Sequence, residues 1–308
     1  AWVLTAAVRR LLADLRDRQG GAPDPLTRSA RPIAAVMKDC GWRWAPLVLN
    51  ALGDDAIAPP GPARPAGLAV WQDLAEWSDH APPPPPGNVP IDPEHARARL
   101  AEMLGPDAER RPSQADFASA VSQAFQPRDQ VDEPAMVLAE AGTGVGKTLG
   151  YVAPASLWAE RNQGTVWIST YTRNLQHQVD GELDRLYPDR TEKTQRVVVR
   201  KGRENYLCLL NLEDASRVLP TLPRHGVALG LMARWALATR DGDLVGGDFP
   251  AWLGDLLGRA GTLGLADRRG ECVYSACPHY GKCFIEKSVR KARRCLLYTS
   301  DAADETTG

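Results

Sequence analysis

No stretch of the 308-residue sequence approaches the ~20 consecutive apolar residues of a membrane-spanning helix, and no signal peptide is visible. Both absences point to a cytoplasmic protein with no membrane partner. The chain does not begin with Met, so its native start is expected to lie upstream. Net charge is only −1, so bulk charge selects no partner, and any nucleic-acid surface must come from local clustering. The six cysteines are too few for a disulfide scaffold, and in a reducing compartment clustered cysteines are more often metal ligands. Internal repeats are absent. What is present is ordinary globular composition, 44% hydrophobic and 24% charged, with length for one large domain or two smaller ones.

Residues 1–80 read as a partial N-terminal accessory region. Leu4, Val8, Leu11, Leu12 and Leu15 recur at helical spacing and predict an amphipathic helix. Five of the nine tryptophans lie here (Trp2, Trp42, Trp44, Trp71, Trp77), and core packing accounts for them without chemistry. "HAPPPPPGNVP" (80–90) predicts an extended polyproline spacer. With a short charged helix near 92–103, it makes residues 81–108 a linker.

From about residue 109 the pattern becomes α/β. "PAMVLA" (134–139) suits a buried parallel strand, followed by a Gly-rich turn and a helix. "GTVWIST" (164–170) and "QRVVVR" (195–200) read as two further strands. Between them, a helix from about Thr172 carries Leu175, Val179, Leu183 and Leu186 on one face. Strands alternating with helices predict a parallel sheet. Residues 201–294 break that rhythm and read as mostly helical.

"AEAGTGVGKT" (139–148) is the most specific signal for nucleotide. It follows the phosphate-loop pattern of Gly, four residues, Gly-Lys and Ser/Thr, except that Ala141 stands where the first Gly would. Backbone N–H groups of Gly142, Thr143, Gly144, Val145 and Gly146 can then curl around phosphate oxygens, helped by the positive end of the following helix. Lys147 would reach the β- and γ-phosphates, and the Thr148 hydroxyl would ligate Mg2+. A mere glycine-rich turn beside a lysine is the bland alternative, and the flanking strand and helix argue against it. Pro154 is expected to kink or shorten that helix.

"CVYSACPHYGKC" (272–283) holds Cys272, Cys277 and Cys283, three thiols where a sulfur site needs four. Cys40, Cys208, Cys295 and His279 are the candidates for the fourth. His279 reads as a surface histidine, and Cys40, beyond the linker, as a small core residue. By sulfur count alone, zinc and an iron–sulfur cluster both remain open.

Together these segments resemble the start of a superfamily 2 DNA helicase of the DinG/XPD type. "EAGTGVGKTLGYVAPA" and "ISTYTRNLQHQ" resemble its first motor motifs, and "RPSQADFASAV" (111–121) the segment whose Gln, here Gln114, contacts adenine. "VRKGRENYLC" (199–208), "RWALATRDGDL" (234–244) and "CVYSACPHYGKCFIEKSVRKAR" resemble its cysteine-bearing insertion. The match runs in family order over roughly 109–294 and is far more specific than any one motif. Ala141 and Pro154 are both tolerated in the family.

The resemblance implies a P-loop NTPase with a RecA-like parallel sheet, incomplete here. Residues 109–200 would be the first part of motor domain 1, and 201–294 a mostly helical iron–sulfur domain. It implies ATP and Mg2+ as cofactors and 5′ to 3′ unwinding in DNA repair or replication, with single-stranded or forked DNA as partner and a monomeric state. Cys208, in the family's "NYLC" context, becomes the fourth ligand. The resulting C-x63-C-x4-C-x5-C spacing suits a [4Fe–4S] cluster better than the paired spacing of zinc sites.

"CLLYTSDAADE" (295–305) departs from the family, which continues after "KARR" with an apolar strand and an Asn-His pair. It resembles the in-frame translation of a sequencing-library adapter, so residues 295–308 are expected to be non-native and Cys295 is excluded. The Asp-Glu-Ala-His box and the second motor domain are expected beyond this chain, leaving it with little or no ATP hydrolysis of its own.

For DNA, the basic segment with Lys282, Lys287, Arg290, Lys291, Arg293 and Arg294 reads as a helix from Ile285, with Lys287, Arg290 and Lys291 as phosphate contacts. Thr170, Thr172 and Arg173 in "STYTRN" match the helicase segment that grips the DNA backbone. A solvated charge run is the bland alternative. Rival readings are a zinc-bearing P-loop ATPase or kinase that does not act on DNA, and a non-enzymatic DNA-binding fragment.

Overall fold

Asp24, Thr172 and Asp189 each stand one residue before a helix and accept a backbone N–H from three residues on, at 2.6, 3.3 and 2.8 Å. Such caps start helices locally, whatever the tertiary context. The computed structural model describes residues 2–17, 24–53, 65–79, 81, 83–109, 111–128, 133–257, 264–267, 270–293, 295 and 297–301.

The helices, in order, are α1 (Trp2–Asp17), α2 (Pro25–Asp39), α3 (Ala45–Ala51), α4 (Pro93–Leu104), α5 (Pro112–Ser122) and α6 (Lys147–Asn162). After strand β1 (Val166–Thr170) come α7 (Arg173–Leu186), α8 (Arg190–Arg196) and β2 (Val197–Val199). The chain continues with α9 (Leu209–Arg217), α10 (Gly226–Ala238), α11 (Ala251–Leu257), α12 (Phe284–Ala292) and β3 (Leu297–Asp301). None of these helices is long and apolar enough to cross a membrane.

The chain divides into two units, one of residues 1–78 with 203–287 and one of 79–202 with 288–308. In the first, α2 packs on α10. Gly230 makes the approach possible: a Cβ there would sit 2.5 Å from the Met37 side chain. Cys40 lies closer still to Gly226, a packing position. The tryptophan-rich N-terminal region therefore folds with the cysteine-bearing segment.

In the second unit, Leu100, Ala118, Val152, Val179 and Leu183 are buried in one core built by α4 to α7. Val179 and Leu183 hold the inner face of α7 as the periodicity predicts, whereas Leu175 is exposed. Pro154 sits inside an unbroken α6. Its ring would press on the carbonyl four residues back, which belongs to Gly150, so no side chain adds to the crowding. Residues 87–89 of the proline-rich segment do not hang free. Gly87 N–H donates to Asn162 O at 2.8 Å, and Val89 exchanges bonds with the buried Asn162 amide at 2.6 and 3.0 Å.

The sheet differs from expectation in two places. "PAMVLA" forms no strand: Met136 is 87% exposed and Leu138 fully so. A parallel strand is stable only between paired neighbours, and the described strands pair in the order β1-β3-β2, all parallel, without it. The described residues thus make a mostly helical α/β fold with a small parallel sheet and no RecA-like sheet around the phosphate loop. β3, in turn, lies in the stretch read as adapter-derived. It takes the slot between β1 and β2, with Leu297 opposite both Val166 and Val197. Two exposed strand edges will pair with any apolar extended run that reaches them.

Glu160 ties the second unit together. It pairs with Arg99, accepts from Tyr187 Oη at 3.3 Å and lies 4.0 Å from Arg196. Burial, then the Glu160 charge, push the Tyr187 phenol up to about 12. Glu160→Ala would leave the Arg99 guanidinium, whose side chain is only 16% exposed, on its longer 3.7 Å ion pair with Glu102, at a cost of about 2 kcal/mol. Glu102→Ala, at a carboxylate 72% exposed, should cost less than about 0.5 kcal/mol. Urea midpoints of the two variants check this.

Candidate nucleotide loop and cysteine site

α6 begins where the phosphate loop turns into helix. Gly144 and Gly146 take positive φ values of 78° and 86°, the second as the left-handed residue immediately before the helix. Those angles are open to glycine and costly for most other residues. Three side chains hold the loop by its carbonyls. Lys147 Nζ donates to Ala141 O and Gly142 O, both at 2.9 Å. Arg111 Nη1 donates to Gly144 O at 2.8 Å, its guanidinium gripped at 3.0 and 3.1 Å by Glu109. Gln114, 4% exposed, donates from Nε2 to Gly146 O at 2.8 Å. Gln114 and the loop, 32 residues apart in sequence, are thus in direct contact. Burial raises the Tyr151 phenol, and the Thr148 hydroxyl partly offsets that shift. Arg111 was not singled out from sequence, although its place three residues before Gln114 was the available signal.

Cys208, Cys272, Cys277 and Cys283 line one pocket with Arg203 and His279. Cys208 immediately precedes α9 and Cys283 immediately precedes α12. The backbone N–H groups of the turn that follows, of Asn211 and Leu210 beyond Cys208 and of Glu286 and Ile285 beyond Cys283, act to lower the two thiol pKa values. Helix N-termini favour thiolate. Burial works the other way and raises all three shifted thiols, Cys208, Cys272 and Cys283, the last to about 11. A metal group here must therefore displace protons as it binds.

Arg203 supplies the positive charge. Its Nη1 donates to Cys272 Sγ at 3.3 Å, and its Nη2 to Glu286 at 2.6 Å. The guanidinium stacks 4.5 Å from the centre of the Tyr274 ring, and Tyr274 itself takes a φ of 48° that a bulky residue seldom adopts. Arg203 lies within "VRKGRENYLC", where nothing in the sequence gives it a role of its own.

Four cysteines around one pocket are the ligand chemistry of an iron–sulfur centre or of zinc. Among the described residues, no three His, Cys, Asp or Glu side chains close into a group that could hold a single metal ion.

His279 is not the surface residue expected. It is 7% exposed, 2.5 Å from Glu213 and edge-on to Trp71. A lone histidine has no periodicity to betray its burial. Cys295 is buried apart from the pocket, donating to Gln195 O at 3.4 Å, and Cys40 packs on α10. Neither lines the site.

No family model matches the chain. It is 34% identical over 200 residues to an Escherichia coli protein named ATP-dependent DNA helicase YoaA, covering 63% of this chain and 28% of that one. It is 33% identical over 198 residues to the Mycobacterium tuberculosis ATP-dependent helicase DinG, covering 58% and 28%. Its likeness is to the DinG-like helicases. The Bacillus subtilis relative, named 3'-5' exonuclease DinG, is 34% identical over 115 residues, 37% of this chain and 12% of that one. The chain thus spans about a quarter of the length of the first two DinG-like relatives.

The sites proposed for DNA are spread more widely. Thr172 caps α7, and Thr170, 7% exposed, bonds Thr172 O at 3.5 Å. The Arg173 side chain lies outside the described residues. On α12, Lys287 and Lys291 are exposed and one helical turn apart, whereas Arg290 is 17% exposed and paired with Asp79 at 2.9 Å.

Proposed function

We propose that this chain is part of an ATP-dependent DNA helicase of the DinG type. Its phosphate loop would take MgATP, and its four cysteines would hold a [4Fe–4S] cluster shaping a DNA-binding domain. The observation that carries the reading is the meeting of Cys208 with Cys272, Cys277 and Cys283 in one pocket, in a chain that also bears the phosphate loop. The rival zinc reading would keep the same four cysteines and is separated from this one by metal analysis of the purified protein. In the loop, Lys147 would exchange two carbonyls for the β- and γ-phosphates, Thr148 would ligate Mg2+, and Gln114 would read adenine. When bound, the cluster would cross-link the Cys208 segment to the 272–283 loop.

The chain should bind single-stranded DNA without sequence preference, and binding should weaken with salt. Lys287→Ala with Lys291→Ala should flatten the log–log salt slope by about 1.4, at ~0.7 per phosphate contact on single strands. Fluorescence anisotropy across a salt series measures it. An unchanged slope removes α12 from the DNA surface, and no salt-sensitive binding at all favours an ATPase that does not act on DNA. Taken alone, the chain should show no ATP turnover above background; measurable turnover would place the water-activating machinery within it.

A further inference from the structure

The cysteine loop bonds mostly to itself. Ala276, Cys277, Tyr280, Lys282 and Cys283 all donate their backbone N–H to a carbonyl three residues earlier. Such short turns have little stability of their own. Residues 65–78, from the region assigned no chemistry, reach across to the loop. Trp77 N–H donates to Gly281 O at 2.8 Å, and Trp77 Nε1 donates to Tyr280 O at 2.6 Å. From the other side, Lys282 Nζ donates to Trp71 O at 2.9 Å and Gln72 O at 3.1 Å. Trp77 stands edge-on to Tyr280 at 5.2 Å, and Trp71 edge-on to His279 at 5.6 Å. Every loop residue touched lies between Cys277 and Cys283. The N-terminal segment is itself anchored: Leu68 and Val70 are buried, and Gly67 lies so close to α2 that a Cβ would be 2.7 Å from Val36.

We propose that residues 65–78 are a strap holding the Cys277–Cys283 turn in ligating geometry, so that strap docking and cluster occupancy are coupled. The inference rests on the iron–sulfur reading. Coupling is reciprocal: whatever the strap adds to cluster retention, the cluster adds to strap docking. Trp71, Trp77 and Lys282 are positioning residues, since none of them is a ligand.

The test uses the full chain, purified anaerobically. Iron and sulfide are assayed first, and their absence refutes the iron–sulfur reading. With the cluster present, hydrogen exchange of residues 65–78 is compared before and after stripping with a chelator. Exchange should accelerate about tenfold, the equivalent of one to two neutral hydrogen bonds. In parallel, loss of visible absorbance in air is timed for Trp77→Phe, which keeps the ring but loses the Nε1–H bond, and for Lys282→Met. Both should lose the cluster several-fold faster than the wild type, while Trp252→Phe, at an exposed site on α11, should match the wild type. Strap exchange unmoved by stripping, with equal decay rates in cluster-loaded variants, would overturn the coupling and leave the cluster reading standing.

Discussion

Cys208→Ser should cost the chain its iron and sulfide, although Cys208 is 64 positions from the nearest other cysteine of the pocket. Serine keeps the size and removes the soft thiolate that an iron–sulfur centre requires. The same loss is expected for Cys272→Ser, Cys277→Ser and Cys283→Ser. Cys40→Ser and Cys295→Ser should retain the full complement, because those thiols pack on Gly226 and bond Gln195 O outside the pocket. The pattern across six single variants discriminates more sharply than any one of them. Loss at Cys295 with retention at Cys208 would return the site to its sequence neighbours and remove the reason for pairing 203–208 with 272–283. Zinc in place of iron, in a colourless protein, would keep the ligand set and change the metal. Because burial holds the shifted thiols protonated through neutral pH, reconstitution should improve as pH rises toward their pKa values: loading must displace those protons.

How much of this was legible in the sequence depended on whether the signal was local. The α7 helix could be read because Thr172 caps it and Val179 and Leu183 repeat at helical spacing. β1 and β2 could be read because their apolar runs are short and bounded. "PAMVLA" carries the same local signal and yet forms no strand, because a strand's existence depends on partners that its own six residues do not encode. β3 is the converse, a segment placed by the slot it fills.

At the site, the thiols were legible as a set because cysteine is rare here and their context matched a family. Their surroundings were not. Arg203 against Cys272, Tyr274 in a left-handed conformation and His279 against Glu213 are contacts across 66 to 69 residues or backbone states without a periodic trace. The strap was missed for a related reason. Tryptophan in a helical region is usually core, and only the position of the Trp77 indole N–H, bonded to Tyr280 O, separates a brace from a filler.

Lys147→Ala should weaken nucleotide binding by the full-length protein about 100-fold. Nζ now rests on two neutral carbonyls at 2.9 Å, Ala141 O and Gly142 O, and bridges the mouth of the loop. Moving to phosphate replaces those acceptors by charged oxygens, and hydrogen bonds between charged partners contribute roughly 1.5–3 kcal/mol each. A net loss of about 3 kcal/mol corresponds to that factor of 100. Alanine also frees the two loop carbonyls to water, so the loop loses a tie and the variant combines a lost contact with a less ordered site. Thr148→Ala separates the metal from the phosphates: its effect should appear with Mg2+ and vanish when Mg2+ is chelated, while the Lys147→Ala loss should persist in both conditions. Gln114→Ala tests the adenine assignment, because ATP should weaken relative to GTP only if the amide reads the base. Equal weakening of both nucleotides would assign Gln114 to holding Gly146, the contact it makes through its 2.8 Å bond. Calorimetric titration of the three variants supplies every one of these comparisons. An unchanged affinity in Lys147→Ala would mean that the turn between residues 141 and 148 is not a phosphate loop.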